Sequence, residues 1–185
     1  MTGAAARRVL FLLASARQGG NAERLAQRAA EGLGPAAVAE WHDLARPPLP
    51  GFEDLRPSAA PPTGRLADLA RAVMAADDLV FAAPVYWYAL PAPAKLFLDH
   101  WSGWLDLPEM GFAERLTGKR LWLITARADP DPAAAEPVER MMRLTAGWLG
   151  MDWRGALNGV ADAPGEITRD AAWTAAPGFL TLRPD

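Results

Sequence analysis

Val9-Leu10-Phe11-Leu12-Leu13-Ala14-Ser15-Ala16-Arg17-Gln18-Gly19-Gly20-Asn21-Ala22-Glu23-Arg24-Leu25 is the stretch on which the reading of this chain turns. Residues 9–14 are an apolar run without a polar member, as expected of a strand buried on both faces of a parallel sheet. A polar, glycine-rich loop follows over residues 15–21. Residues 22–33 then repeat at helical spacing, with Leu25, Ala26, Ala29 and Leu33 on one face and Glu23, Arg24, Gln27 and Arg28 on the other. Asn21 stands at the N-cap position, and Gly32 or Gly34 where the helix should stop.

The same alternation continues outward from this unit. Residues 36–41 read as a second, alanine-rich strand. Residues 43–63 carry Pro47-Pro48-Leu49-Pro50-Gly51 and Pro57-Ser58-Ala59-Ala60-Pro61-Pro62 and no period, so they form one long surface loop, a class that tends to be functional or mobile. Helical spacing returns over 65–76 through Leu66, Leu69, Ala70 and Val73, and residues 78–84 are a third buried strand stopped by Pro84. Residues 93–101 read as a helix with Pro93 in its first turn. A fourth strand is expected over 121–125 and a fifth over 151–157. Between them, 138–149 is a helix with Val138, Met141, Leu144, Thr145 and Trp148 inward. Beyond Asn158 the chain is irregular, with a short helix near 169–175. Strands alternating with helices imply right-handed βαβ units. The expectation is an α/β, doubly wound, five-stranded parallel sheet with helices on both faces, residues 1–185 forming a single domain.

Composition narrows the function. At 185 residues the chain suits one domain, and 51% hydrophobic with 22% charged residues excludes disordered and fibrous classes. A net charge of -3 argues against nucleic acid and anionic membranes as partners. There is no cysteine, which removes disulfides, thiol catalysis and thiolate-held metals, and the 2 histidines are too thinly spread for a metal site. No run approaches the roughly 18 apolar residues of a membrane helix. Arg7-Arg8, the run 9–14 and Ala14-Ser15-Ala16 imitate a signal peptide, but the apolar run is at the short end for one, so a cytoplasmic protein is expected. The 8 tryptophans point to an aromatic-walled ligand site, an oligomer interface or a large-residue core.

In such sheets ligands bind outside the carboxyl ends of the strands, where the strand order switches. The loops that matter are therefore 15–22, 84–92 and 126–132. The first has the chemistry of an anion cradle: glycines turn N–H groups inward, the next helix offers its positive end, and Ser15 and Arg17 add a hydroxyl and a cation. Its spacing fits neither a nucleoside-triphosphate P-loop nor a Rossmann dinucleotide turn. A turn leading into the helix without any ligand is the competing reading, with Asn21 capping only. In the second loop, Pro84-Val85-Tyr86-Trp87-Tyr88 gathers both tyrosines and one tryptophan, which suits a flat heteroaromatic ligand. Packing of the sheet top competes, although three successive aromatics cannot all face a core. Asp106, Glu109 and Glu114 form no spaced carboxylate pair, His100 reads as a satisfied polar contact, and Ser15 lacks a His/Asp partner. No catalytic side chain is assigned.

Phe81-Ala82-Ala83-Pro84-Val85-Tyr86-Trp87-Tyr88-Ala89-Leu90-Pro91-Ala92-Pro93-Ala94-Lys95-Leu96-Phe97-Leu98-Asp99 resembles the signature stretch of the NAD(P)H-dependent FMN reductase and NAD(P)H quinone reductase families, which have the flavodoxin-like fold. Residues 15–21 resemble their phosphate loop, 118–123 the start of their fourth strand, and 159–167 the exit from their fifth. The resemblance implies FMN, with FAD open, NAD(P)H as co-substrate, a quinone or other small aromatic acceptor, and a homodimer. By position, Ser15, Arg17, Asn21 and the Ala22 amide would contact the phosphate, and Pro84, Val85, Tyr86, Trp87 and Tyr88 would line the ribityl chain and ring edge. Trp101 and Trp104 fall where relatives build part of a dimer interface, core packing being the alternative. Two departures stand out: Ala22 where relatives often carry threonine, and Ala126-Arg127 where they usually carry a glycine pair. Arg127 would then offset the negative charge of reduced flavin. A flavodoxin-type electron carrier without nicotinamide turnover, and a flavodoxin-fold protein that has lost its cofactor, are the alternatives.

Overall fold

The three strongest apolar runs become the three central strands of one sheet. In the computed structural model, which describes residues 6–56 and 60–181, β1 (Arg7–Leu13), β3 (Asp78–Pro84) and β4 (Arg120–Arg127) lie side by side. β2 (Ala37–Asp43) and β5 (Asp152–Val160) flank them, giving the order β2-β1-β3-β4-β5 with every pairing parallel. This is the doubly wound sheet expected from the alternation of strands and helices.

The strands read as continuous apolar runs because both faces are covered. Leu10, Leu12, Leu79, Phe81, Leu121 and Leu123 face α2 (Gly64–Ala75), α3 (Ala92–Leu105), α4 (Phe112–Leu116) and α5 (Glu136–Trp148). Val9, Phe11, Val80, Ala82, Trp122 and Ile124 face α1 (Asn21–Ala30) and α6 (Ala171–Phe179). The expected loop after β2 is seen over residues 44–56, residues 57–59 lying outside the described ones; it is pinned by buried Leu44 and Leu49 and by His100 Nε2, which donates to the Pro50 carbonyl at 2.9 Å.

Several details depart from the pattern reading. α3 runs on to Leu105 because Trp101 and Trp104 continue its apolar stripe, packing edge-on to Phe97 and Phe112 with centroids 5.2 to 5.8 Å apart. Both are core residues, so they cannot form a surface between subunits. The buried stripe of α5 is Val138, Met142 and Ala146, one step round from the expected face, which leaves Leu144 and Trp148 outward at 62% and 73% exposure. β5 begins one residue later than expected and runs three further, to Val160.

At the foot of the sheet lies a group that the apolar pattern does not reveal. Asp78, wholly buried at the start of β3, accepts from Arg7 Nε and Nη2 (both 2.8 Å), Arg120 Nε and Nη2 (2.7 and 2.8 Å) and Trp122 Nε1 (2.8 Å). Arg7 Nη1 also holds the Leu180 carbonyl at 2.8 Å, tying the end of α6 to the same point. Burial alone would raise the carboxyl pKa, and the hydrogen bonds from Arg7, Arg120 and Trp122 reverse this, bringing it down to about 2. A depressed folded pKa means that the stabilisation is complete above about pH 4 and is lost as pH falls through about 2. Asp78→Asn leaves two arginines facing a neutral amide and is expected to lower the unfolding free energy by about 3–5 kcal/mol, measured by urea denaturation at pH 7. The urea midpoint of the parent should fall more steeply between pH 4 and pH 2 than that of the variant.

Candidate functional site

The carboxyl ends of the central strands are stepped. Leu13, the last residue of β1, lies opposite Ala82, whereas β3 continues to Pro84 and β4 to Arg127. Two residues of strand are roughly 7 Å, so the loop after β1 starts below the ends of its neighbours. A cleft of about 250 Å³ fills this step, reaching from Ser15, Gly20 and Ala22 past Pro84 and Tyr86 to Arg127.

Its floor is built from N–H groups. α1 begins at Asn21 with no side chain capping it, Gly20 taking the N-cap place expected for Asn21. Arg24 N–H makes the first intrahelical bond, to the Gly20 carbonyl at 3.0 Å. Among the described residues, the N–H groups of Gly20, Asn21, Ala22 and Glu23 meet no acceptor, as geometry demands of a first turn. Gly19 adopts φ +61, and its N–H donates to Glu23 Oε2 at 2.8 Å, which closes the turn. A Cβ on Gly20 would stand 3.0 Å from Ser15 Oγ, so glycine keeps the cradle open there. Ser15 is buried, and its Oγ accepts from Arg17 N–H at 3.2 Å.

Charge in the cleft is mainly positive. Arg17 lines it from the exposed side. Arg127 lines it from the end of β4; its side chain is 8% exposed, its Nη1 donates to the Asp129 carbonyl at 2.5 Å, and its buried Nε has no partner. An unpaired buried guanidinium nitrogen is unfavourable by about 1–3 kcal/mol, which a ligand acceptor in the cleft would relieve. Asp162 brings one carboxylate to the opposite rim.

The structure gathers Ser15, Arg17, Asn21, Ala22, Pro84, Val85, Tyr86 and Arg127 into this cleft and leaves Trp87 and Tyr88 out of its lining. Tyr86 N–H and carbonyl pair with the carbonyl and N–H of Ala89 (3.0 and 3.1 Å), making a two-residue turn. Its central residues have φ 51 and φ 63, both left-handed, as a type I′ turn requires. The turn carries Trp87 and Tyr88 clear of the cleft, at 93% and 55% exposure, so neither packs the sheet top. Asn21 is also not free to bind an anion with its side chain. Its Nδ2 donates to the Ala163 carbonyl (3.0 Å) and its Oδ1 accepts from Gly165 N–H (2.8 Å), fastening α1 to the loop after β5. Pattern reading missed Gly20 and Asp162 as lining residues: Gly20 was visible as the second glycine of the pair, whereas Asp162 comes from the irregular tail.

Comparison with known proteins bears on the family and the fold. Residues 7–176 match the protein family described as flavodoxin-like fold. The chain is 28% identical over 173 residues to YwqN of Bacillus subtilis, covering 91% of this chain and 93% of that protein, whose name assigns it by inference to the NAD(P)H-dependent FMN-containing oxidoreductases. It is 30% identical over 164 residues to FMN-dependent NADH:quinone oxidoreductase 2 of Pseudomonas fluorescens, covering 78% of this chain and 82% of the relative. Among solved structures, the Trp repressor binding protein of Bacillus subtilis superposes with TM-score 0.77 and 25% identity, over 96% of this chain and 99% of that one.

Left-handed φ at two bulky aromatic residues costs of order 1–3 kcal/mol each. Replacing Trp87-Tyr88 by Asn-Gly, the pair this turn prefers, is therefore expected to raise the unfolding free energy by at least about 1 kcal/mol in chemical denaturation.

Proposed function

This chain belongs to the family of flavodoxin-like fold, and from that premise we propose that it is an FMN-dependent NAD(P)H oxidoreductase acting on a quinone or similar small aromatic acceptor. The observation that carries the reading is the union, in one cleft, of open first-turn amides, a glycine cradle and two arginines with a proline–tyrosine rim. These residues fit the cofactor. Gly20 keeps the space that a Cβ would fill, and the buried Arg127 Nε lacks an acceptor that a flavin edge or phosphate provides. Ala22 offers only its amide at the phosphate, a hydroxyl fewer than a threonine there would give.

When bound, FMN would supply the redox chemistry, the passage of hydride equivalents from NAD(P)H to the acceptor. Everything else falls to the chain. Ser15 Oγ, the amides at the start of α1 and Arg17 hold the phosphate by charge-assisted hydrogen bonds, helped by the positive helix end. Pro84, Val85 and Tyr86 set the orientation of the ribityl chain and ring. Arg127, held by the Asp129 carbonyl, places a fixed cation at the wall, which favours the anionic state of a group bound beside it. No acid or base from the chain is required.

We further assign a homodimer and a cytoplasmic location. The exposed Leu144 and Trp148, which line one shallow hollow on α5, support association, since large apolar side chains gathered on a surface mark interaction sites. Val9 to Leu12 are buried in a central strand, so this apolar run serves the sheet. Among the described residues, no helix is long and apolar enough to cross a membrane.

Titration with FMN should quench flavin fluorescence to saturation, and the complex should oxidise NADH or NADPH when a benzoquinone is added. Arg17→Ala is expected to weaken FMN binding roughly 10- to 100-fold, the size of one charge-assisted hydrogen bond, and to leave riboflavin binding nearly unchanged. Saturable flavin binding without NAD(P)H oxidation would favour the electron carrier, and no binding would remove both redox readings.

A further inference from the structure

Arg46 lies outside the cleft, in the loop after β2, and reaches the first loop from behind. Its Nη1 donates to the Ala16 carbonyl at 2.9 Å, and its Nη2 meets the Ser15 carbonyl at 3.5 Å. The guanidinium is itself held: Nη2 lies 2.8 Å from Asp43 Oδ2, and Asp43 Oδ1 accepts from Ala45 N–H at 2.9 Å. Arg65 Nη2 then donates to the Arg46 carbonyl at 3.1 Å and to the Asp43 carbonyl, fixing the backbone that carries the arginine.

Peptide geometry turns these contacts into an effect inside the cleft. A trans peptide is planar, with its C=O and N–H on opposite sides. Fastening the Ser15 and Ala16 carbonyls outward to Arg46 therefore directs the N–H groups of Ala16 and Arg17 the other way. The Arg17 N–H accordingly donates to Ser15 Oγ, the hydroxyl that faces Gly20 across the cradle. Asp43 neutralises Arg46 at close range, so the influence of the arginine is through orientation more than through long-range charge.

We infer that Arg46 is a positioning residue for the anion-binding loop: it orients the Ala16 and Arg17 peptides and, through the Arg17 N–H, the Ser15 hydroxyl that faces the ligand phosphate, while contributing none of its own atoms to the site. The inference rests on the FMN reading given above, because it takes the loop 15–22 as the phosphate site. Arg46→Ala releases both carbonyls and lets the two peptides rotate. Arg46→Lys keeps the charge but presents a single ammonium, which cannot hold the Asp43 carboxylate and both carbonyls in one plane.

Dissociation constants for FMN and for riboflavin, read by flavin fluorescence in the parent, Arg46→Ala and Arg46→Lys, test it together with hydrogen exchange of residues 14–22 in flavin-free protein. Arg46→Ala is expected to weaken FMN roughly 10-fold or more and to change riboflavin by less than about twofold, with Arg46→Lys between it and the parent. Exchange of the Arg17 and Gly19 amides, which hold acceptors within this loop, should quicken in both variants. Equal loss of FMN and riboflavin, or no loss of FMN, overturns the assignment. Should the parent bind no FMN, the functional reading fails. Exchange then decides this one: faster exchange in the variants upholds the clamp, and unchanged exchange removes it. If Arg46→Ala does not fold, Arg46→Lys carries the same comparisons.

Discussion

One buried carboxylate aligns the sheet. Asp78 sits opposite Val9 on β1 and Arg120 on β4, and the bidentate arginines from those two strands meet on its oxygens. Burying an unpaired carboxylate would be costly, and here every lone-pair direction finds a donor. The interaction fixes where three neighbouring strands begin. Parallel strands rise equally per residue, so this register together with the strand lengths sets where they end relative to one another. β1 and β3 are equally long but offset by two residues, and the resulting step between Leu13 and the ends of β3 and β4 is the cleft.

The site then divides its work between two chemistries. The lower end presents N–H groups, a hydroxyl and Arg17, all suited to an anion. The upper end presents Pro84, Val85 and Tyr86 beside a buried, half-satisfied Arg127, suited to a flat ring with acceptor atoms. Beside it stands the Trp87–Tyr88 turn, whose left-handed backbone is unfavourable for both residues. Strain of this kind persists only where the surroundings enforce it, and it collects at ligand sites. Trp87 stands 93% exposed at the tip of this turn, beside the cleft and outside its lining.

Much of this was legible in the residue order, and what was not has identifiable causes. Residues 9–13, 79–84 and 121–124 lie in central strands because an apolar run with no polar member needs cover on both faces. The glycine loop before an amphipathic helix located the cleft for the same local reasons. Tertiary contacts decided the rest. Asn21 has the right chemistry for a cap, yet the loop 161–165 packs against it and takes both ends of its amide. Leu144 and Trp148 share a helical stripe with Met141, but the sheet presses on Val138, Met142 and Ala146 instead. Trp101 and Trp104 lie deep because α3 runs a further turn than its pattern shows. Asp78 and Arg46 act across 42 and 30 residues of sequence respectively, distances at which no local pattern speaks.

In the proposed arrangement the stepped cleft holds a flavin with its phosphate on the loop after β1 and its ring against Pro84 to Tyr86. A crystal structure of the protein with FMN tests this most directly. Phosphate density is expected at the amides of Gly20 to Ala22 and Ser15 Oγ, with an acceptor of the cofactor on Arg127 Nε and Arg46 still bound to the Ser15 and Ala16 carbonyls. Flavin bound elsewhere on the molecule, or a cleft left empty at saturating FMN, would contradict it.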